Sequence, residues 1–223
     1  MTSLALLQLV SPALPVGAFS YSEGLEVLIQ AATLNDERHV QDWLEAELRQ
    51  GALRLEAAAL RGLSEALRQW QDHGDQQARH WLMDQDSWLL ANRESADVRA
   101  QQTQMGASLL QLMSEMGHPL PQAMPLSWPS AWAWAAVALD VSLPDMTQGY
   151  LYGWVANQLS AAVRLLPLGP SRAQVVQQRL LPLIAEQAVW LQSQDPRQLW
   201  SRGVGASMAQ LAHAELYSRL FRS

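Results

Sequence analysis

Several side chains in this sequence stand at spacings that metal chemistry uses. Glu115-Met-Gly-His118 sets a carboxylate three residues ahead of an imidazole, the spacing of di-iron helix bundles, and Asp72 to Asp75 with Asp84-Gln-Asp86 resembles the Mg²⁺-binding aspartates of helical isoprenoid synthases. A di-iron site needs two such motifs plus further glutamates, and one occurs here, with His118 directly before a proline. The aspartates likewise have no second aspartate-rich helix to face. His39, His73, His80 and His213 fall on unrelated segments with no pair four apart, so each reads as a solvated or internally bonded histidine. Cysteine is absent, which removes thiolate ligands, thiol nucleophiles and disulfides together. All 15 basic residues are arginine, which leaves no lysine for Schiff-base or phosphate-loop chemistry. No GxxxxGK[ST], no GxGxxG after a strand and no GxSxG occurs. The expectation is a chain with no catalytic residues and no tightly held metal or cofactor.

What remains points to contact with other macromolecules. A net charge of −6 and an isoelectric point near 5.3 argue against nucleic acid, whose affinity comes from basic residues neutralising phosphates. Hydrophobic residues make up 49% with a mean hydropathy of −0.09, and no apolar run approaches the roughly 20 residues that cross a bilayer. The short run Leu4 to Val10 lacks a basic leader and ends at Ser11-Pro12, so no secretory signal is expected and the mature chain is read as starting at Met1 in the cytoplasm. Ten tryptophans against two phenylalanines place several indoles at the surface or at interfaces.

The elements that position these residues are helical. Apolar residues recur three and four apart at Val40, Trp43, Leu44, Leu48, then Leu60, Leu63, Leu67, Trp70, then Ala78, Trp81, Leu82, Leu89, and again at Val98, Met105, Leu109, Leu112, Met116. Gly117-His118-Pro119 stops the last of these, and Pro119 to Pro129 is the longest irregular stretch, a candidate hinge. Helices follow at Ala131 to Leu139, around Leu151, Val155, Leu159 and Val163 up to Leu166-Pro167-Leu168-Gly169-Pro170, and at about Ser171 to Gln192 with Pro182 inside. A last helix carries Met208, Leu211, Ala212 and Leu216. Strand-like alternation is missing. The fold class is all-α, one compact domain of 223 residues with about nine or ten helices.

Two segments carry more than a helix needs. In Leu14-Pro-Val-Gly-Ala-Phe-Ser-Tyr-Ser-Glu-Gly-Leu-Glu26, Pro15 stiffens the chain, Gly17 permits a tight turn, and Ser20-x-x-Glu23 reads as a capping box that puts Gly24 inside the first turn. Phe19 and Tyr21 flank this junction, either roofing the core or anchoring a partner. The chain end, Glu215-Leu-Tyr-Ser-Arg-Leu-Phe-Arg-Ser223, again offers aromatics and arginines. Either Leu216 and Leu220 continue the last helix onto the core while Arg219 and Arg222 stay in water, or a partner orders the tail. Arg164 near the end of its helix interacts with the carboxyl-end dipole or is presented to a partner. Arg93-Glu94 with Arg99 reads as an ionic network.

Taken together, LPVGAFSYSEGLE, Asn92-Arg93-Glu94 with Met105-Gly106, Ala161-Ala-Val-Arg-Leu-Leu-Pro-Leu-Gly169 and Tyr217-Ser-Arg-Leu-Phe-Arg-Ser223 resemble, in order, the urease accessory protein UreF family. The resemblance implies an all-helical, usually dimeric, non-catalytic assembly factor. It further implies binding to the accessory protein UreD (also called UreH) and the GTPase UreG, and delivery of Ni²⁺ by that complex to apo-urease. Carried over by position, Phe19, Tyr21, Glu23, Tyr217, Arg219 and Phe221 are the expected partner-docking residues, and Arg164 is the candidate for influencing GTP hydrolysis. The residues also predict that the tail and the Pro15 to Gly24 junction share one surface. Two other readings stand beside this: a helical metal-dependent enzyme, and a stand-alone binding module.

Overall fold

Where apolar residues recur at helical spacing, helices form, and polar caps mark their starts. The computed structural model describes residues 4–223; Met1, read above as the chain start, lies outside them. Ten α-helices follow one another: α1 (Leu4–Leu9), α2 (Leu25–Gln30), α3 (Glu37–Gln50), α4 (Leu53–His73), α5 (Gln76–Ala91), α6 (Ala96–Glu115), α7 (Trp128–Ala138), α8 (Leu143–Leu165), α9 (Pro170–Leu191) and α10 (Val204–Ala212). Short 3-10 turns lie at Ala18–Ser20, Pro196–Gln198 and His213–Glu215, and no strand occurs among the described residues. The side chains of Asp36, Asp75, Ser95 and Ser142 accept from the free N–H groups that open α3, α5, α6 and α8. Pro129, Pro144 and Pro170 sit in first turns, where a missing N–H breaks no helical bond. Pro182 lies inside α9, which continues through it.

Helix α4 is the hub. It packs on α5, α7 and α8, and its Leu60, Leu63 and Leu67 are wholly enclosed. Helix α7 is buried nearly all round, which its run of Trp and Ala allows: small residues admit neighbours closely while Trp132 and Trp134 fill volume. Both indole N–H groups are bonded, Trp132 to the Met146 carbonyl at 3.2 Å and Trp134 to the His118 carbonyl at 3.0 Å. Among the described residues no helix is long and apolar enough to cross a membrane.

The irregular segment before α7 is anchored. Leu126 is buried, and the Ser127 N–H and hydroxyl donate to Asp86 Oδ1 at 3.0 and 2.6 Å. Gly106 permits this approach, because a Cβ there would collide with the Leu126 carbonyl of the passing chain. Asp84 pairs with Arg197, so both aspartates of the Asp84-Gln-Asp86 motif serve packing contacts. His118, the imidazole of the Glu115-x-x-His118 spacing, follows the end of α6 and gives its carbonyl to Trp134.

Two local expectations are corrected. Ser20 makes no capping box: it closes the Ala18–Ser20 turn, Gly24 at φ +89° stands before α2 instead of inside it, and Glu23 turns inward at φ +50°. Gly24 is needed on two grounds, its backbone conformation and its neighbours. A Cβ there would lie 2.9 Å from the Gln210 nitrogen and 3.1 Å from Ala209 of α10. The last helix also stops at Ala212, four residues before Leu216. The chain then runs irregularly, burying Phe221 and leaving Leu220 in water, the reverse of the pattern that a continued helix would impose.

Candidate functional site

The tail and the opening junction meet, 200 residues apart in sequence. The Ser223 carbonyl accepts from Ser22 N–H at 2.8 Å, Glu23 N–H at 3.1 Å and the Ser22 hydroxyl at 2.7 Å, while Arg222 N–H donates to the Ser20 carbonyl at 2.9 Å. Beneath them Glu26, buried on α2, collects the rest of the tail. Its two oxygens accept from Leu220 N–H at 2.7 Å and Phe221 N–H at 3.1 Å, and Oε2 faces His213 Nε2 at 3.3 Å. A carboxylate that accepts backbone N–H groups is a strong local clamp, since charge-assisted bonds are about twice as strong as neutral ones.

Arg164 staples the same surface from α8. Its guanidinium donates to the Phe19 carbonyl at 2.8 Å and stacks 4.4 Å above the Phe221 ring, so its partners lie across the fold instead of on its own helix end. Glu23 reaches the other way, accepting from Gln101 Nε2 at 2.7 Å and Trp154 Nε1 at 3.2 Å, and the Ser223 hydroxyl donates to Gln101 Oε1 at 2.6 Å. His213 is fully enclosed, with Nδ1 3.8 Å from Asp97, which also lies 3.9 Å from Arg219.

The expected docking residues thus divide. Phe19 is 65% exposed, Tyr217 fully so and Arg219 partly, and these three form the outer face. Tyr21, Glu23 and Phe221 are buried and hold that face in place. Glu26, Gln101 and Trp154, which sequence reasoning gives no site role, complete the arrangement with His213, the internally bonded alternative for that histidine being the one found. Glu26 stood in the quoted motif, but nothing in its local spacing marks a carboxylate that binds a segment nearly two hundred positions away.

Inward of this surface lies a cavity of about 450 Å³, walled by Glu23, Gln102, Trp128, Tyr150, Trp154 and Gln158. Next to it Glu56 receives the Arg93 Nε–H at 2.7 Å and the Tyr150 hydroxyl at 2.7 Å, which makes Arg93 with Glu56 a buried ionic network. Burial pushes the Glu56 carboxyl up, against the pull of Arg93 and Tyr150. Burial also acts against the Arg93 charge, but Glu56 and Glu23 outweigh it and hold the guanidinium ionised. Burial and then the Glu56 charge raise the Tyr150 hydroxyl, which therefore keeps its proton and donates. Nearby, burial pushes Glu47 up to about 7, Arg93 drawing it down and Glu23 adding to the rise. The set is organised for holding helices together: every ionisable member except Glu47 is engaged by a neighbour of opposite or complementary kind.

Comparison with known proteins adds a decisive observation. The UreF family profile matches residues 34–181. The chain belongs to the UreF family. Its relatives include a urease accessory protein UreF of Prochlorococcus marinus subsp. pastoris, 37% identical over 218 residues and spanning 96% of both chains. Another, from Trichormus variabilis, is 37% identical over 233 residues, covering 99% of this chain and 95% of the relative. One from Thermosynechococcus vestitus is 38% identical over 227 residues, covering 99% and 97%. The profile's span leaves out both the junction and the tail, whereas the last two alignments, covering 99% of this chain, take in nearly all of each.

Proposed function

We propose that this chain is a urease accessory factor that acts by binding, joining UreD (UreH) and the GTPase UreG to apo-urease while Ni²⁺ is installed as cargo. The observation that carries the reading is the nearly full-length match to urease accessory proteins. The tail–junction surface supplies a physical basis: Phe19, Tyr217 and Arg219 are presented on a backbone already fixed by Glu26 and Arg164, so little ordering entropy is spent on docking. The protein acts in the cytoplasm as a homodimer and is not itself a catalyst. Arg164 serves this surface by positioning Phe19 and Phe221, and it reaches UreG's nucleotide only by leaving both partners.

The test is reconstitution with purified UreD and UreG. The three proteins are expected to co-elute, to activate apo-urease with Ni²⁺ and GTP, and to slow amide exchange in residues 17–24 and 215–223. Failure to co-elute and activate would overturn the accessory role. Co-elution without protection of either segment would overturn the docking surface.

A further inference from the structure

Between the 3-10 turn Pro196–Gln198 and the body of α10 the chain runs mostly in solvent. Trp200, Ser201, Arg202, Val204 and Gly205 are exposed, and Gly203 among them is half-buried. On one side Arg197 fastens the turn, pairing with Asp84 of α5 and lying 5.4 Å from the centre of the Trp88 ring. On the other, Ala206 is the first buried residue of α10. Arg202 and Gly203 tie the stretch between to the last turn of α3. The Arg202 N–H donates to the Gln50 carbonyl at 2.8 Å, and Gly203 rests against the Glu47 carboxyl.

That carboxyl is boxed in by backbone. It fills the space in which a side chain at Gly51 would stand, so that a Cβ there would overlap Oε2. A Cβ at Gly203 would lie 3.3 Å from Oε1 and 3.4 Å from the Gly51 Cα, so the two glycines close on the carboxyl together. Glu47 is 9% exposed, and among the described residues no N–H or O–H donates to its oxygens. A neutral carboxyl can lie between two peptide backbones, but a carboxylate there needs water. Gly51 cannot yield to admit it, because its N–H is bonded to the Glu47 carbonyl at 2.8 Å and it joins α3 to α4. Gly203 can, since its neighbours in the chain are in solvent.

The charged groups around Glu47 do not reverse this. Burial lifts its carboxyl to about 7, Arg93 before α6 drawing it down and Glu23 of the junction adding to the rise. Arg93 is itself held by Glu56 of α4, which also takes the Tyr150 hydroxyl of α8. Arg49 of α3 pairs with Glu186 of α9 at 3.7 Å, Arg54 of α4 stacks on Trp190 of α9, and Arg202 is exposed.

We propose that Glu47 is a proton-operated latch for residues 200–205: with its proton on, the carboxyl lies between Gly51 and Gly203 and seats the stretch on α3, and once the proton leaves, water enters and the stretch swings out between Arg197 and Ala206. The device does not depend on the accessory role. Because the closed form favours the proton, closure is tightest below about pH 4.5, weakens as pH rises, and levels off above about pH 7.

Native-state hydrogen exchange, corrected for the intrinsic effect of pH, reads the latch at two amides: Arg202 N–H, bonded to Gln50, and Ser207 N–H, bonded to the Gly203 carbonyl at 2.9 Å. Their protection is expected to fall about tenfold from pH 6 to pH 8, and low urea should leave it unaltered, because the opening is local. Leu139 N–H, bonded to the Ala135 carbonyl at the end of α7, should keep its protection. In Glu47→Gln, and equally in the apolar Glu47→Met, protection at Arg202 and Ser207 should not vary with pH. If the unaltered chain protects both amides equally at pH 6 and pH 8, the carboxyl does not operate the stretch, whether or not the variants fold. If urea accelerates them as it does the amides of α4, they open only with the whole molecule and there is no latch. A matching fall at Leu139, or the same fall in both variants, would assign the effect to another group and overturn the proposal.

Discussion

Glu56 and Glu26 are both buried glutamates gathered among donors, yet one holds the centre of the bundle and the other holds a chain end. Glu56 binds side chains, Arg93 from the chain before α6 and Tyr150 from α8, all enclosed. Glu26 binds mainly backbone N–H groups of a tail whose Tyr217 and Leu220 remain in water. Breaking the first contact strands a charge in the core. Breaking the second returns a short segment to solvent, where its N–H groups find water. The same residue type thus yields a permanent strut in one place and a detachable clasp in the other, and the environment of its partners decides which.

The largest expected effect comes from Glu56→Ala, which leaves the Arg93 guanidinium buried and unpaired. Chemical denaturation should register a loss of about 3–5 kcal/mol. A loss below about 1 kcal/mol would mean that the strut and the clasp do not differ as described. Glu47 sharpens the contrast through pH. Its carboxyl is raised from the usual 4.5 to about 7 because the folded state favours the protonated form. Its stabilising contribution is therefore complete below about pH 4.5, declines as pH rises toward 7, and is gone above that, a span of about 3 kcal/mol. Urea melts of Glu47→Gln between pH 5 and 8 should show a flatter profile than those of the unaltered protein.

The smallest global effect belongs to Glu26→Ala. It should cost about 1–3 kcal/mol, concentrated in the tail. Hydrogen exchange should accelerate at Leu220 and Phe221 while amides of α4 keep their protection. Uniform acceleration across α4 would place Glu26 in the same cooperative unit as Glu56 and dissolve the comparison.

Much of the helical frame was legible because it follows from local physics. Leu60, Leu63 and Leu67 line one face at helical spacing and are enclosed. Trp81 broke the pattern: it stands on the periodic face of α5 but is 44% exposed, lying over Gly62 of α4 at the edge of the contact. Periodicity tells which face turns inward, and not where the neighbouring helix ends. The site was legible in part. Both segments that form it are marked by composition, and their meeting is expected, but Tyr21 and Phe221, expected to dock a partner, are buried. An aromatic beside a glycine reads the same whether its ring roofs the core or leaves it.

The sequence by itself determined the helical class and the absence of thiol or lysine chemistry, because apolar spacing and residue inventory act within a few positions. Only the tertiary structure decided the inward turn of Glu23 and the grip of Glu26 on the tail. Leu220 and Glu26 lie 194 positions apart. A hydrogen bond over that separation is chosen by how helices pack, and packing is a property of the whole chain that no local pattern encodes.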